Sequence, residues 1–548
     1  MLTTRLRSRV ERWLSWWLAL PTEKPKLSAG LAGILLGSAF PPVSLPGGVW
    51  LAFPLLWGLA RHSRPYRLLY AALLLWNIIG CYWLTLTALS APNWTEALLS
   101  FVAGAAAILA NPLLMLLPFG IWRLLLRWVC YRKRQTHLAL QPWDAFLFIP
   151  IWGAFEYFHF RWELSWSWLS LGLAWSEWQY WRNLASLLGT TGLSAWTLVG
   201  AAFLYNRRYG LFGAWVFVFP LLSLGLFPSE RRVSSRVVYA IQPNIDPYAK
   251  FSDFPPQEQV KRLLSLLPEQ PPAGAIIVLP ETAIPTGVSL DNWVEEPFLK
   301  PFWGYVRKHR VNLLIGIVGY RYFPPGVSLP PSVHPLPQGG GYEAYNAALL
   351  LRPDTVQVHI KSRLVPFVER APYLEVLSFL KRWHIDLGGG FGHFGKPAYQ
   401  RPLTLYPDEL PVAVGICYES IFIHDLRSRL PEEPSILAIL TNDGWWKRSS
   451  GYWQHLAYGQ FTASALGVPA VRSANTGVSA LISASGERLS QLDYERIGLV
   501  QGTLFPQKPA TVYHRWGEIG WVGLNTFAFL LWWMLRCPYR RSSLPFVA

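Results

Sequence analysis

The sequence predicts a protein in two parts, a multi-span α-helical membrane domain and an α/β domain held outside the cytoplasm. Three observations predict it. Long apolar runs crowd the N-terminal 230 positions and the last 30. Basic residues gather between alternate runs. The middle of the chain alternates short β-branched runs with helical patterns. Only 15% of the 548 residues are charged, against roughly 25% in an ordinary soluble domain, while 52% are hydrophobic and 30 are Trp. That hydrophobicity excludes a disordered chain. Four Cys in 548 residues exclude a disulfide-built scaffold.

The apolar runs cover 27–40, 49–60, 68–89, 98–121, 145–160, 184–205, 211–227 and 519–535. A spanning helix needs roughly 20 mostly apolar residues. The first two runs are shorter and are interrupted by Pro41-Pro42 and Pro46-Gly47-Gly48, so they read as two short spans or as a re-entrant hairpin. No small-residue cleavage site follows the basic N-terminus, so the first span is expected to stay uncleaved.

Charge then orients the runs. The formal net charge is +17. The flanking segments carry Arg5, Arg7, Arg9, Arg12, Lys24, Lys26, Arg61, Arg64, Arg67, Arg123, Arg127, Arg132, Lys133, Arg134, Arg207, Arg208, Arg536, Arg540 and Arg541, against Glu11 and Glu23 alone. They hold the whole +17, and the remaining 30 basic and 30 acidic residues cancel. If every run crosses, all these flanks lie on one side, which the positive-inside rule makes cytoplasmic. Both termini are then cytoplasmic and the block after the seventh run is outside. Arg231, Arg232 and Arg236 run against this, but long translocated domains obey the rule weakly. The expected parts are a basic N-terminus (1–26), a membrane domain of about seven spans (27–227), an outside domain (228–515), and a final span with a basic tail (516–548).

In the outside domain, strands are expected at 237–242, 275–279, 313–318, 347–351, 356–360, 412–416, 436–440, 470–473 and 478–483. Helices are expected at 257–267, 296–309 and 454–465, with loops at 324–341 and 388–395. Three polar residues each follow an apolar strand: Glu281, Lys361 and Cys417. Catalytic groups of α/β sheets gather at the carboxyl ends of strands. Cys417 is the one Cys of this domain, so it has no disulfide partner there; it is either an inert core thiol or a used one. A nucleophilic Cys needs a base or an electropositive setting. Glu281 alone reads as a salt-bridge carboxylate and Lys361 alone as a surface charge; together with Cys417 they are more specific. A Cys–His pair with His455 or His424 is the competing arrangement, weaker because neither His ends a strand.

These residues resemble the Glu–Lys–Cys triad of the nitrilase superfamily. The whole chain resembles its membrane branch, the apolipoprotein N-acyltransferase family, through Leu279-Pro280-Glu281-Thr282-Ala283, Lys361-Ser362-Arg363-Leu364-Val365-Pro366-Phe367-Val368-Glu369, Ile416-Cys417-Tyr418-Glu419-Ser420, Thr441-Asn442-Asp443-Gly444-Trp445-Trp446, Gln454-His455-Leu456 and Ser473-Ala474-Asn475-Thr476-Gly477. Looser matches are Gln242-Pro243-Asn244, Ala39-Phe40-Pro41-Pro42, Gly80-Cys81-Tyr82-Trp83 and Glu156.

The resemblance implies a nitrilase-like αββα sandwich for the outside domain. It implies an acyltransferase of the bacterial cytoplasmic (inner) membrane, facing the periplasm. Cys417 would take an acyl chain from a membrane phospholipid as a thioester and pass it to the α-amino group of the diacylglyceryl-cysteine of an apolipoprotein. Glu281 would be the general base and Lys361 the oxyanion donor, a task it could share with a backbone N–H near Tyr418. Glu369, Tyr418, Glu419 and Trp445 match supporting or substrate-binding positions. Trp162, Trp166, Trp168, Trp175, Trp178 and Trp181 crowd the loop after the fifth run, where Trp suits the membrane interface.

Departures from the family pattern are Phe251 for a common Trp, Lys447-Arg448 beside Trp446, and Tyr458-Gly459-Gln460-Phe461 where charges are usual. They bear on substrate preference rather than on the triad. No metal or organic cofactor is expected, since no clustered His/Cys spacing appears. A monomer is expected. Nucleic acid is not an expected partner, because the excess charge lies in the flanks and the outside domain is not a basic patch. The alternatives are a membrane-tethered nitrilase-type amidohydrolase and a non-enzymatic lipid-binding scaffold. A transporter would need more ionisable groups within the spans than Glu156.

Overall fold

The computed structural model describes residues 2–91, 93–132, 141–223, 235–377, 393–397 and 400–536. Lys133, Arg134, Arg231, Arg232, Cys537, Arg540, Arg541, the end of the seventh run (224–227) and part of the 388–395 loop lie outside the described residues.

Each apolar run falls on a helix. After α1 (Leu2–Glu23) come α2 (Pro25–Ser38), α3 (Gly48–Leu59), α4 (Pro65–Cys81) with a 3-10 extension (Tyr82–Ser90), α5 (Trp94–Arg132), α6 (Ala145–His159), the short α7 (Gln179–Arg182), α8 (Ala185–Tyr205) and α9 (Tyr209–Ser223). Pro25 and Pro65 stand in the first turn of α2 and α4, where the missing N–H costs nothing. Among the described residues, three stretches are long and apolar enough to cross a membrane: Pro65–Leu89, Trp94–Cys130 and Ala185–Tyr205. The other apolar helices are shorter. With 14 and 12 residues, α2 and α3 fall below the roughly 17 residues of a usual span, and they are joined through Ala39–Gly47.

Residues beside four of the basic flanks lie at one end of the bundle. Arg123 donates to the carbonyl of Ala60. Asn206 donates to the Pro142 carbonyl at 3.1 Å, and Arg536 pairs with Asp144 at 3.4 Å. α1 is part of the same bundle: Leu14, Trp17 and Leu20 are buried, and the Trp17 indole donates to Leu51 O at 3.1 Å.

The second half contains β1 (Arg236–Gln242), α10 (Pro256–Ser265), β2 (Ile276–Val278), β3 (Ile284–Ser289), α11 (Lys300–His309), β4 (Asn312–Phe323), β5 (His334–Pro335), β6 (Gly341–Leu351), β7 (Val356–Ile360), β8 (Leu403–Leu405), β9 (Leu410–Ile416), α12 (Ile423–Arg427), β10 (Ile436–Thr441), α13 (Ser450–Leu466), β11 (Ala470–Ala474), β12 (Ser479–Ile482), β13 (Arg488–Leu492) and β14 (Gly498–Leu504). The chain returns to the bundle through α14 (Val512–Trp516) and α15 (Ile519–Arg536).

The strands form two sheets. One runs β14-β1-β2-β4-β6-β5, with β3 beside β4 and β7 beside β6; the other runs β13-β12-β11-β10-β9-β8. β1, β2 and β4 are parallel to one another, as are β9, β10 and β11. Alternation of side chains along the strands sets the layers. Val238, Ala240, Ile276 and Val278 meet Val412, Val414, Ile436 and Ala438 between the sheets. Ile277, Leu313 and Ile315 face the other way, onto Val260 and Leu263 of α10 and Phe302 and Val306 of α11. Ala413, Leu437 and Ile439 face α12 and α13 through Leu426, Phe461 and Leu466. The order is helix, sheet, sheet, helix. That last apolar layer continues without a break into the membrane helices, so the αββα domain and the bundle share one core.

The nine expected strands are present. β3, β5, β8, β13 and β14 were not expected; β5 and β8 are only two and three residues long, and β13 carries too many polar residues to read as a buried run.

Candidate active site

Glu281 follows β2, and its place depends on β4. A Cβ on Gly316 would stand 2.3 Å from Pro280 O and 2.7 Å from Glu281 Cα, so only glycine lets the strand pass this closely. Lys250 holds the same turn from the other side, donating to Glu281 O at 3.0 Å and to Thr282 Oγ1 at 2.7 Å. Burial presses the Lys250 ammonium down to about 7, with Glu281 opposing.

Lys361 is the first residue past β7. Its backbone N–H donates to Asn346 O at 2.8 Å. Its Nζ donates to Glu281 Oε1 at 3.0 Å and to Glu369 Oε1 at 2.8 Å. Burial disfavours the ammonium, but the Glu281 and Glu369 carboxylates outweigh it and hold Lys361 above its usual range. Asn346 Nδ2, from β6, donates to the same two oxygens at 2.8 and 2.9 Å. The second oxygen of Glu369 accepts the Val365 N–H at 2.8 Å.

Cys417 is the first residue past β9 and has φ +49°. A side chain in that left-handed region costs about 1–3 kcal/mol, which the surrounding bonds must hold. The residue is 8% exposed. Burial pushes the thiol up, the Glu281 charge pushes it further, and Lys361 and the Thr441 hydroxyl oppose them. The cysteine therefore rests as a thiol that needs a base, and Glu281 is a carboxylate within its electrostatic reach.

Glu419, wholly buried, joins the two strand ends. Oε1 accepts from Ser362 N at 3.0 Å, Ser362 Oγ at 2.7 Å and Arg429 Nη2 at 2.7 Å. Oε2 accepts from Ile416 N at 3.1 Å and meets His359 Nε2 at 3.1 Å. Burial would raise this carboxyl, but Arg429 and His359 hold it well below its usual range. The segment carrying Lys361 is thereby fixed to the segment carrying Cys417.

Tyr418 reaches the membrane half, its hydroxyl donating to Ser165 O at 2.6 Å. Trp445 packs edge-on against Tyr248 at 5.1 Å. Trp446 packs against Trp83 at 4.7 Å and Trp168 at 5.5 Å. Beside them the Gln454 amide is used fully: its oxygen accepts from Trp83 at 3.1 Å and Trp168 at 2.6 Å, and its nitrogen donates to Pro41 O at 2.9 Å and Gly80 O at 3.0 Å.

The competing histidines do not bond to the thiol among the described contacts. His455 Nε2 lies 3.1 Å from the Cys417 carbonyl oxygen, and His424 Nε2 lies 3.3 Å from Asp425. Cys81, Cys130 and Cys417 are free thiols. Among the described residues, no group of three or more His, Cys, Asp and Glu could hold a metal ion.

The site thus brings Glu281, Lys361 and Glu369 into direct or shared contact, with Cys417 electrostatically coupled to the first two and Glu419 bonded to the neighbours Ser362 and Ile416. Trp445 stands further out, on Tyr248. Sequence reading missed Asn346, Gly316 and Lys250. Asn346 had a signal, a lone amide inside the apolar stretch 344–351. Lys250 and Gly316 had none, because their role is to support a backbone distant in sequence.

Fold and site together define an enzyme of the carbon-nitrogen hydrolase type, built onto a helical membrane bundle. The carbon-nitrogen hydrolase family model matches residues 240–508, and the apolipoprotein N-acyltransferase N-terminal domain matches residues 32–203. The apolipoprotein N-acyltransferase of Bradyrhizobium diazoefficiens is 30% identical over 391 residues, which cover 66% of this chain and 68% of that one. Those of Chlorobaculum tepidum and Azotobacter vinelandii are 28% and 27% identical; the alignments cover 85% and 96% of this chain and 88% and 98% of theirs. The chain belongs to the apolipoprotein N-acyltransferase family. It is a membrane protein and an acyltransferase.

Proposed function

We propose that this enzyme moves a fatty acyl chain from a membrane phospholipid, through a thioester on Cys417, to the α-amino group of an N-terminal diacylglyceryl-cysteine on an apolipoprotein. The observation that carries the mechanism is the Glu281–Lys361–Glu369 cluster at the strand ends, with Lys361 shared between two carboxylates. Glu281 takes the thiol proton as Cys417 Sγ attacks the ester carbonyl. Lys361 steadies the negative oxygen of the tetrahedral adduct. The ester C–O bond breaks, and the lysophospholipid leaves with the proton from Glu281. In the second half the amine attacks the thioester, gives a proton to Glu281, and the C–S bond breaks to restore the protonated thiol. Glu369 keeps Lys361 in place through both halves. Tyr418, Glu419 and Trp445 support the pocket.

Both substrates are lipid-anchored, so the site must stand at a bilayer surface. The core shared by the sandwich and the membrane helices supports that placement. The gathering of Arg123, Asn206 and Arg536 at one end of the bundle supports cytoplasmic termini, with the sandwich on the periplasmic side of the inner membrane. Incubation of the purified protein with phospholipid vesicles and a diacylated lipopeptide tests the reading. The lipopeptide should gain the mass of one acyl chain in amide linkage. Release of free fatty acid with no change in the lipopeptide would make the protein a hydrolase instead.

A further inference from the structure

A buried polar chain runs beneath Cys417 that the steps above leave unused. Arg472 Nη2 donates to Asp443 Oδ2 at 2.8 Å. Asp443 Oδ1 meets His455 Nδ1 at 2.8 Å. His455 Nε2 meets the Cys417 carbonyl oxygen at 3.1 Å, and Ser420 Oγ donates to the same oxygen at 2.7 Å. Asp443, His455, Ser420 and Arg472 are each 0% exposed. Thr441 Oγ1 adds a bond to Asp443 Oδ1 at 2.9 Å. Burial would raise the Asp443 carboxyl, but Arg472 and His455 hold it below its usual range. His455 Nδ1 thus lies between the Asp443 carboxylate and Arg472 Nη2, 3.2 Å away, while Nε2 faces the nucleophile's own carbonyl oxygen with Ser420 Oγ beside it at 3.1 Å.

The order Asp–His–Cys has the members of a nucleophile triad, but the imidazole addresses the backbone of the cysteine and not its sulfur. The Cys417–Tyr418 peptide is trans, since the described cis bonds are Pro41-Pro42 and Tyr406-Pro407. In a trans peptide the C=O and the N–H point in opposite directions. Fixing the Cys417 carbonyl on His455 and Ser420 therefore aims the Tyr418 N–H to the other side of the peptide. It also holds Cys417 at φ +49°, a conformation the residue would leave if unrestrained.

We propose that His455, oriented by Asp443 and Arg472, is a positioning residue that clamps the Cys417–Tyr418 peptide so that its N–H joins Lys361 in holding the tetrahedral oxyanion. This rests on the assignment of Cys417 as nucleophile. The clamp acts on stabilisation of the adduct and leaves thiol reactivity as such to Glu281 and Lys361.

Two rates separate these effects in the full-length protein in detergent. One is thioester formation from phospholipid, which passes through an oxyanion. The other is alkylation of Cys417 by iodoacetamide, which does not. His455→Ala should slow thioester formation by about 10²–10³, the cost of losing one oxyanion donor, with alkylation within threefold of wild type. His455→Gln, whose amide can reach the same carbonyl, should recover at least tenfold of the loss. Ser420→Ala, a smaller change to the same oxygen, should slow thioester formation about tenfold and spare alkylation, the loss of one ordinary hydrogen bond. This variant serves if His455→Ala does not fold. Parallel loss of both rates, or thioester formation within threefold of wild type in the variants, overturns the proposal. A wild-type protein that forms no thioester at all instead overturns the nucleophile assignment.

Discussion

Lys361 Nζ and Glu281 Oε1 stand 3.0 Å apart, on residues that follow strands β7 and β2, some 80 positions apart in sequence. Neither strand end reaches the other through its own ladder. β6 lies beside β7, β4 beside β6, and β2 beside β4, so three neighbouring pairings set the distance. Asn346 sits within this span on β6 and donates to Glu281 and Glu369 alike.

Asn346→Leu should keep the fold and cut turnover. It removes two hydrogen bonds to ionised oxygens, and each such bond contributes about 1.5–3 kcal/mol, a factor of roughly 10 to 10² in rate if it is needed in the transition state. Turnover within threefold of wild type in steady-state assays would show Asn346 to be a filler of the strand.

Gly316→Ala places a methyl group against Pro280 O, Thr282 N and Glu281 Cα, backbone atoms that cannot swing aside. Overpacking of this kind costs about 1–3 kcal/mol. The expected result is a lower unfolding midpoint in detergent together with a fall in turnover greater than at a control glycine such as Gly304, which has open space around it.

Glu419→Ala leaves Arg429 and His359 buried without their common partner. Breaking a buried pair in this way costs about 3–5 kcal/mol. Glu419→Gln should be milder. Chemical denaturation of both variants, compared with the wild type, measures the difference.

Lys250 predicts a pH dependence of stability. Its folded-state value lies near 7, against 10.5 in the unfolded chain. Between these values the unfolded chain holds a proton that the folded one has released, so this group makes stability rise as pH climbs from 7 toward 10.5. Lys250→Met removes that contribution. The stability of the variant relative to wild type should be greatest at pH 7 or below and should shrink toward pH 10. A constant difference across the range would contradict the assignment.

Much of this site could be read from the chain because its chemistry sits at strand ends. An apolar run followed by Glu281, Lys361 or Cys417 is a local pattern, and α/β sheets place such positions together. The eight apolar runs were legible as helices for the same reason. Their lengths were legible too: α2, α3 and α6 have 14, 12 and 15 residues, close to the runs they follow, and Pro41-Pro42 and Pro46-Gly47-Gly48 separate the first two. The support of the site was the least legible part. Gly316 and Lys250 act on residues brought near by sheet order, and no local pattern marks them; Asn346 shows only as a lone amide in an apolar stretch, which does not name its partners. His455 was visible in sequence as a possible partner of Cys417; that it addresses the carbonyl, and not the thiol, is a matter of three-dimensional placement alone.

The most direct measurement is the intact mass of the full-length protein after exposure to phospholipid with no lipopeptide present, followed by a chase with a diacylated lipopeptide. The account predicts one acyl chain added as a thioester on Cys417, absent in Cys417→Ala, and lost from the protein as the lipopeptide amine gains it. A protein that never carries the acyl chain, or a Cys417→Ala variant that still modifies the lipopeptide, would contradict it.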